Sequence, residues 1–253
     1  MAITIDLAGQ VVLVTGGTKG VGRGIAQRLA DAGASVAVCS RSEPEVALPA
    51  GWEWFGVDLR DGDAAWAMVD QVVERLGRLD VLVNNAGGAP PADSTTAKPR
   101  FTERIIALNL FAAIFCSQRA NHWMQQQESG GSIVNIGSVS GQRPTPQTAA
   151  YGAAKAGLVN FTQTTAVEWA PKVRVNHVTA GMVRTEQSHL FYGDEEGIAQ
   201  VGLTVPLGRI ANPEDIGDAC VFLSSPLAAY VSGANLAVHG GGEPPPYLDV
   251  SAL

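Results

Sequence analysis

The chain has 253 residues, of which 46% are hydrophobic and 16% charged, with 29 glycines and a formal net charge of −7. That length sits at the upper end of one hydrophobic core. The acidic balance and the lack of any Lys/Arg cluster exclude the electrostatic footprint of a nucleic-acid binder or an anionic-membrane binder. Cys39, Cys116 and Cys220 are odd in number, widely spaced and without metal-ligand spacing, which is read as free thiols, no metal site and a reducing compartment. No basic leader opens the chain and no run reaches membrane-spanning length, so a cytoplasmic location is expected.

From the start, Gln10 to Thr15 is an apolar, β-branched run. It breaks into Gly16-Gly17-Thr18-Lys19-Gly20-Val21-Gly22, after which Ile25, Ala26, Leu29 and Ala30 repeat at helical spacing. Strand, glycine turn and helix in that order suit a pyrophosphate: glycines admit close backbone approach, and the helix N-terminus presents free N–H groups. Ala34 to Cys39 reads as the second strand. Its tip carries Ser40-Arg41 in place of the acid that would take ribose hydroxyls, so Lys19, Ser40 and Arg41 are expected to surround a 2′-phosphate, with a solvated Arg41 as the plainer reading.

Trp52 to Val57 is a third strand, followed by Asp58, which could accept the adenine amino group or stand as a loop carboxylate. Asp63 to Gly77 is an amphipathic helix ended by its glycine, and Val81 to Asn84 a fourth strand running into Asn85-Ala86-Gly87-Gly88. Phe101, Ile105, Leu108, Ala112 and Phe115 predict one long helix buried almost all round, with a second apolar face left for another subunit. Asn109 lies inside that helix, where an unpaired amide is costly, so it is a functional candidate. Ser132 to Ile136 is a fifth strand with Ser138 just past its end, at the sheet edge where ligands bind.

A helix over Ala150 to Ala170 carries Tyr151 and Lys155, four apart and therefore on one face. A phenol near an ammonium is expected to be biased toward phenolate and so to serve as an acid/base, although such pairs are also common as plain amphipathic surface. Val173 to Val178, Asn212 to Ser224 and Ala234 to Val238 read as strand, helix and strand. Residues 186–206 are expected to form a substrate lid, and 240–253 a proline-bearing tail. No repeat or interior linker divides the chain, so one domain over 1–253 is expected. The alternation predicts an α/β fold with a doubly wound sheet of about seven parallel strands flanked by helices.

Thr15-Gly-Gly-Thr-Lys-Gly-Val-Gly22, Asn84-Asn-Ala-Gly87, Asn109, Ser138 and Tyr151-Gly-Ala-Ala-Lys155 together resemble the short-chain dehydrogenase/reductase family over essentially the whole chain. The resemblance implies a single-domain Rossmann-like fold and a nicotinamide cofactor, NADP(H) on the strength of Arg41, with NAD(H) as the alternative. It implies Tyr151 as acid/base, Ser138 on the substrate oxygen, Lys155 on the nicotinamide ribose and Asn109 in a proton relay. It implies a cofactor site of Gly16, Thr18, Lys19, Gly20, Val21, Gly22, Ser40, Arg41, Asp58, Leu59, Asn85, Ala86, Gly87, Tyr151, Lys155, Gly181, Val183 and Thr185. The expected activity interconverts a secondary alcohol and a ketone, a small-molecule substrate, in a homo-oligomer, a tetramer by resemblance. Reduction of 3-oxoacyl thioesters, or a catalytically silent dinucleotide-binding sensor or scaffold, are the alternatives. Two departures stand out: Ala180-Gly181 replaces the family's Pro-Gly, which predicts a less rigid backbone there, and His239-Gly240-Gly241 replaces Asp-Gly-Gly.

Overall fold

The computed structural model describes residues 4–244, so most of the proline-bearing tail lies outside the described residues. Seven strands form one parallel sheet in the order β3-β2-β1-β4-β5-β6-β7. They are β1 (Val11–Thr15), β2 (Ser35–Ser40), β3 (Glu53–Gly56), β4 (Val81–Asn84), β5 (Gly131–Ser138), β6 (Val173–Ala180) and β7 (Asn235–Val238). The order reverses between β1 and β4, which opens the crevice in which ligands of such sheets bind.

Successive side chains of a strand point to opposite faces, and both faces are buried here. Val11 and Leu13 join the core beneath α2 (Gly62–Leu76), while Val12 and Val14 join the core beneath α1 (Gly20–Asp31). Gly77 ends α2 in the left-handed conformation at φ 81°, the sequence-predicted stop. The cysteines are free and buried, and burial pushes the Cys39 thiol up to about 12.

The predicted long helix is in fact three segments: α3 (Pro99–Ile106), a wide turn of π type (Ala107–Phe111) and α4 (Ala112–Met124). Nor is it buried all round. Ile105, Asn109, Ala112, Cys116, Ala120 and Met124 are buried, whereas Phe111 is 45% exposed. β5 is longer than predicted, and Ser138 is its last residue, in register with Ala180. Ala180, expected to loosen the chain, instead extends β6 between Ser138 and Val238, because alanine fits a ladder that proline's fixed ring disfavours. α5 (Ala149–Glu168) follows as predicted. The segment expected to form a lid folds into α6 (His189–Tyr192) and α7 (Glu195–Leu203), ahead of α8 (Pro213–Ser224).

A buried amide chain locks the centre of the sheet. Asn84 Nδ2 donates to Asn135 Oδ1 at 2.8 Å, and Asn135 Nδ2 donates to Thr162 Oγ1 at 2.9 Å, which ties β4, β5 and α5 together beneath the catalytic candidates.

Candidate active site

The C-terminal ends of β1, β4, β5 and β6 deliver the glycine turn, the Asn85–Gly88 turn, Ser138 and Gly181 to one edge of the sheet. α5 brings in Tyr151 and Lys155 from the side. Lys155 is only 4% exposed, and its Nζ donates to the Ile136 carbonyl at 2.7 Å. The same Nζ stands 5.7 Å from the centre of the Tyr151 ring, so the helical spacing does place both groups in one site. Burial moves the ammonium down to about 8. Tyr151 departs from expectation: burial pushes its phenol above the ordinary value, with the Ser138 hydroxyl pulling the other way, and Lys155 does not lower it. Desolvation is the larger effect on the phenol, and the Lys155 ammonium is engaged with the Ile136 carbonyl.

The π turn explains Asn109. Its Nδ2 donates to Ile105 O at 2.9 Å and to Gly88 O at 3.0 Å, while Oδ1 accepts from Gly88 N at 2.7 Å. The amide braces the Asn85–Gly88 turn against the helix. A Cβ on Gly87 would lie 2.7 Å from Asn109 Oδ1 and 3.3 Å from Lys155 Nζ, so only glycine brings that backbone so close to both.

The glycine turn is a cradle that side chains would fill. A Cβ on Gly22 would fall 2.3 Å from Gly16 O and 2.4 Å from Asn85 Nδ2. Gly16 itself has φ +64°. Asn85 Nδ2 donates to Thr15 O at 2.9 Å, and Thr15 Oγ1 accepts from Asn85 N and Ala86 N at 3.0 Å each. Thr15 thus pins β1 to the β4 turn, a role its position in the motif could have suggested but did not. Lys19 caps α1 without a side-chain hydrogen bond and no acidic residue lies in the first turn, so the amide end of that helix has no cap of its own. Thr18, Gly20 and Val21 complete the open face, half-buried. A narrow glycine cradle against an uncapped helix N-terminus fits a dinucleotide pyrophosphate.

At the far end, Arg41 is exposed, whereas the Ser40 hydroxyl is taken up by Ser42 O at 2.7 Å and by the Trp54 indole N–H at 2.9 Å. The Asp58 carboxylate is paired with Arg60, which holds it below the usual carboxylate range, and the Leu59 side chain is buried in the core. At the other end Gly181 N donates to Val238 O at 3.0 Å, Val183 bridges to Ala211, and Thr185 N donates to Ser188 Oγ at 2.8 Å. A cavity of about 340 Å³ opens here, lined by Val139 beside Ser138 and by Gly181, Met182, Leu207 and His239.

A family model described as enoyl-(acyl carrier protein) reductase matches residues 16–243. The chain belongs to the short-chain dehydrogenase/reductase family. Its D-threitol dehydrogenase relative from Mycolicibacterium smegmatis is 35% identical, over 93% of each chain. The 3-oxoacyl-[acyl-carrier-protein] reductase of Vibrio harveyi is 34% identical, over 94% of this chain and 98% of its own. Among solved structures, the ligand-free aldohexose dehydrogenase of Thermoplasma acidophilum superposes with a TM-score of 0.88 at 31% identity, covering 99% of this chain and 98% of that one. Membership makes the protein a CH–OH oxidoreductase of a family that binds NAD(P)(H). Among the described residues no helix is long and apolar enough to cross a membrane, and no cluster of His, Cys, Asp or Glu could hold a metal ion.

Proposed function

We propose that this short-chain dehydrogenase/reductase interconverts a secondary alcohol and a ketone with NADP(H), Tyr151 being the acid/base. The observation that carries the reading is half-buried Tyr151 beside Ser138, with the buried Lys155 Nζ 5.7 Å from its ring centre and next to Gly87. When bound, the dinucleotide supplies or takes up hydride; the chain supplies position and the proton. Gly16, Gly20 and Gly22 would hold the pyrophosphate, and Lys155, anchored on Ile136 O at 2.7 Å, would hold the nicotinamide ribose. Tyr151 gives a proton to the carbonyl oxygen in reduction and takes it back in oxidation, with the Ser138 hydroxyl holding that oxygen. Deciding the reaction takes a panel of ketones and alcohols followed by nicotinamide absorbance with each cofactor. Absence of turnover alongside intact cofactor binding would favour the silent dinucleotide binder.

The preference for NADP(H) rests on Arg41, exposed at the tip of β2, with Lys19 on the neighbouring turn. A 2′-phosphate would meet Arg41 bidentately. Charged hydrogen bonds contribute roughly 1.5–3 kcal/mol, so Arg41→Ala should weaken NADP(H) by about tenfold or more and leave NAD(H) unchanged. Titrating both cofactors checks this. Equal loss for both, or a wild-type preference for NAD(H), makes Arg41 a solvated loop residue.

Reduction of 3-oxoacyl thioesters is the second reading, favoured by the match to the Vibrio harveyi enzyme. The net charge of −7 works against it, since an acidic carrier protein would be repelled. Exposed Phe111 and Val167, at 45% and 79%, lie on the two helical segments whose apolar surface exceeds what the sheet covers. A homo-tetramer is the expected assembly, and light scattering that finds a monomer at micromolar concentration would overturn it.

A further inference from the structure

The pyrophosphate end of the proposed cofactor site already faces a negative charge. Glu186, at the start of the lid region, brings its carboxylate to the first residue of α1: Gly20 N donates to Glu186 Oε1 at 3.4 Å. A Cβ on Gly20 would lie 3.5 Å from Thr185 Cγ2 and 3.7 Å from Glu186 Oε2, so the whole Thr185–Glu186 corner leans on the glycine turn. Two further observations set this contact apart from an ordinary surface hydrogen bond. α1 has no side-chain cap and no acid in its own first turn, so the anion at its positive end comes from 166 positions along the chain. Among the described residues Glu186 makes no ion pair, although Lys19 precedes Gly20 directly.

We propose that Glu186 is an internal competitor for the pyrophosphate subsite, which must be displaced when the dinucleotide binds. This rests on the dinucleotide reading given above and adds its regulation. A carboxylate and a pyrophosphate cannot share one helix N-terminus: both want the same amides, and their charges repel. The 3.4 Å contact is long for a hydrogen bond, which makes the placeholder easy to eject. Its departure carries lid movement with it. Glu186 lies within a tight turn in which Thr185 N donates to Ser188 Oγ at 2.8 Å, and the Glu186 carbonyl lies 2.9 Å from the His189 ring nitrogen Nδ1 at the head of α6. Cofactor entry therefore bears on the segment that leads into α6.

The test is a fluorescence titration of the full chain, wild type, Glu186→Gln and Glu186→Ala, with NADPH, NADH, ADP and adenosine, each variant's melting temperature being measured alongside. Both variants should bind NADPH, NADH and ADP about tenfold more tightly, the sum of a lost helix-end contact and a relieved charge repulsion. Adenosine, which has no phosphate, should be unaffected. Unchanged or weakened dinucleotide binding in correctly folded variants overturns the proposal, as does an equal gain for ADP and adenosine. Failure of every variant and of wild type to bind NADPH or NADH is a different result, and it overturns the dinucleotide reading itself.

Discussion

Tyr151→Phe should retain cofactor affinity and lose turnover by about 10²–10⁴-fold, the usual contribution of a positioned general acid/base. The ring still packs where it did, half-buried with its centre 5.7 Å from Lys155 Nζ; only the transferable proton is gone. The raised phenol adds a directional signature. In reduction Tyr151 must start protonated, and a group held above an ordinary value near 10 is protonated throughout the neutral range, so that rate should be flat with pH. In oxidation it must start deprotonated, so that rate should climb as pH rises. Steady-state kinetics in both directions with variant and wild type decide this. A variant with near wild-type kcat would remove Tyr151 from the chemistry, and a falling oxidation rate at rising pH would assign the proton elsewhere.

The second large effect is a conflict between activity and stability at Lys155. Its ammonium is buried, and its proton leaves at about 8 in the folded protein against an ordinary 10.5. The unfolded chain therefore holds more protons between those values, so folding stability rises with pH across that window. Below about 8 the fold carries the full cost, on the order of 3 kcal/mol, partly offset by the bond to Ile136 O. Lys155→Met removes the buried charge but strands that carbonyl, so the variant should be at least as stable as wild type at pH 7 while turning over far less substrate. Its advantage should shrink by about 3 kcal/mol as pH rises from 7 to 10.5. Urea unfolding across that range measures the difference. Parallel pH profiles for the two proteins would mean that Lys155 is not desolvated in the fold.

His177 shows the same physics without a catalytic role. It is buried beneath Gly137, its Nδ1 2.8 Å from Asn235 Oδ1, and burial lowers it to about 4, so it stays neutral at physiological pH.

What the sequence determined by itself follows from local rules. Short apolar, β-branched runs place the seven strands and period-3.6 patterns the helices between them, and the glycine turn between β1 and α1 needs no partner to be recognised. Tyr151 and Lys155 share a face because the helix repeat puts them there. The mid-helix Asn109 could be singled out as a misfit, yet the π turn that accommodates it depends on Gly88, a residue on another segment. Tertiary structure alone decided the rest, because the quantities involved are set by neighbours distant in sequence. The Ser40 hydroxyl accepts from the Trp54 indole, Asp58 pairs with Arg60, and Glu186 is brought to Gly20 by a fold that closes over 166 positions. Tyr151 rises where a nearby cation would have lowered it because desolvation depends on how many atoms surround the oxygen, and no spacing rule along a helix counts those.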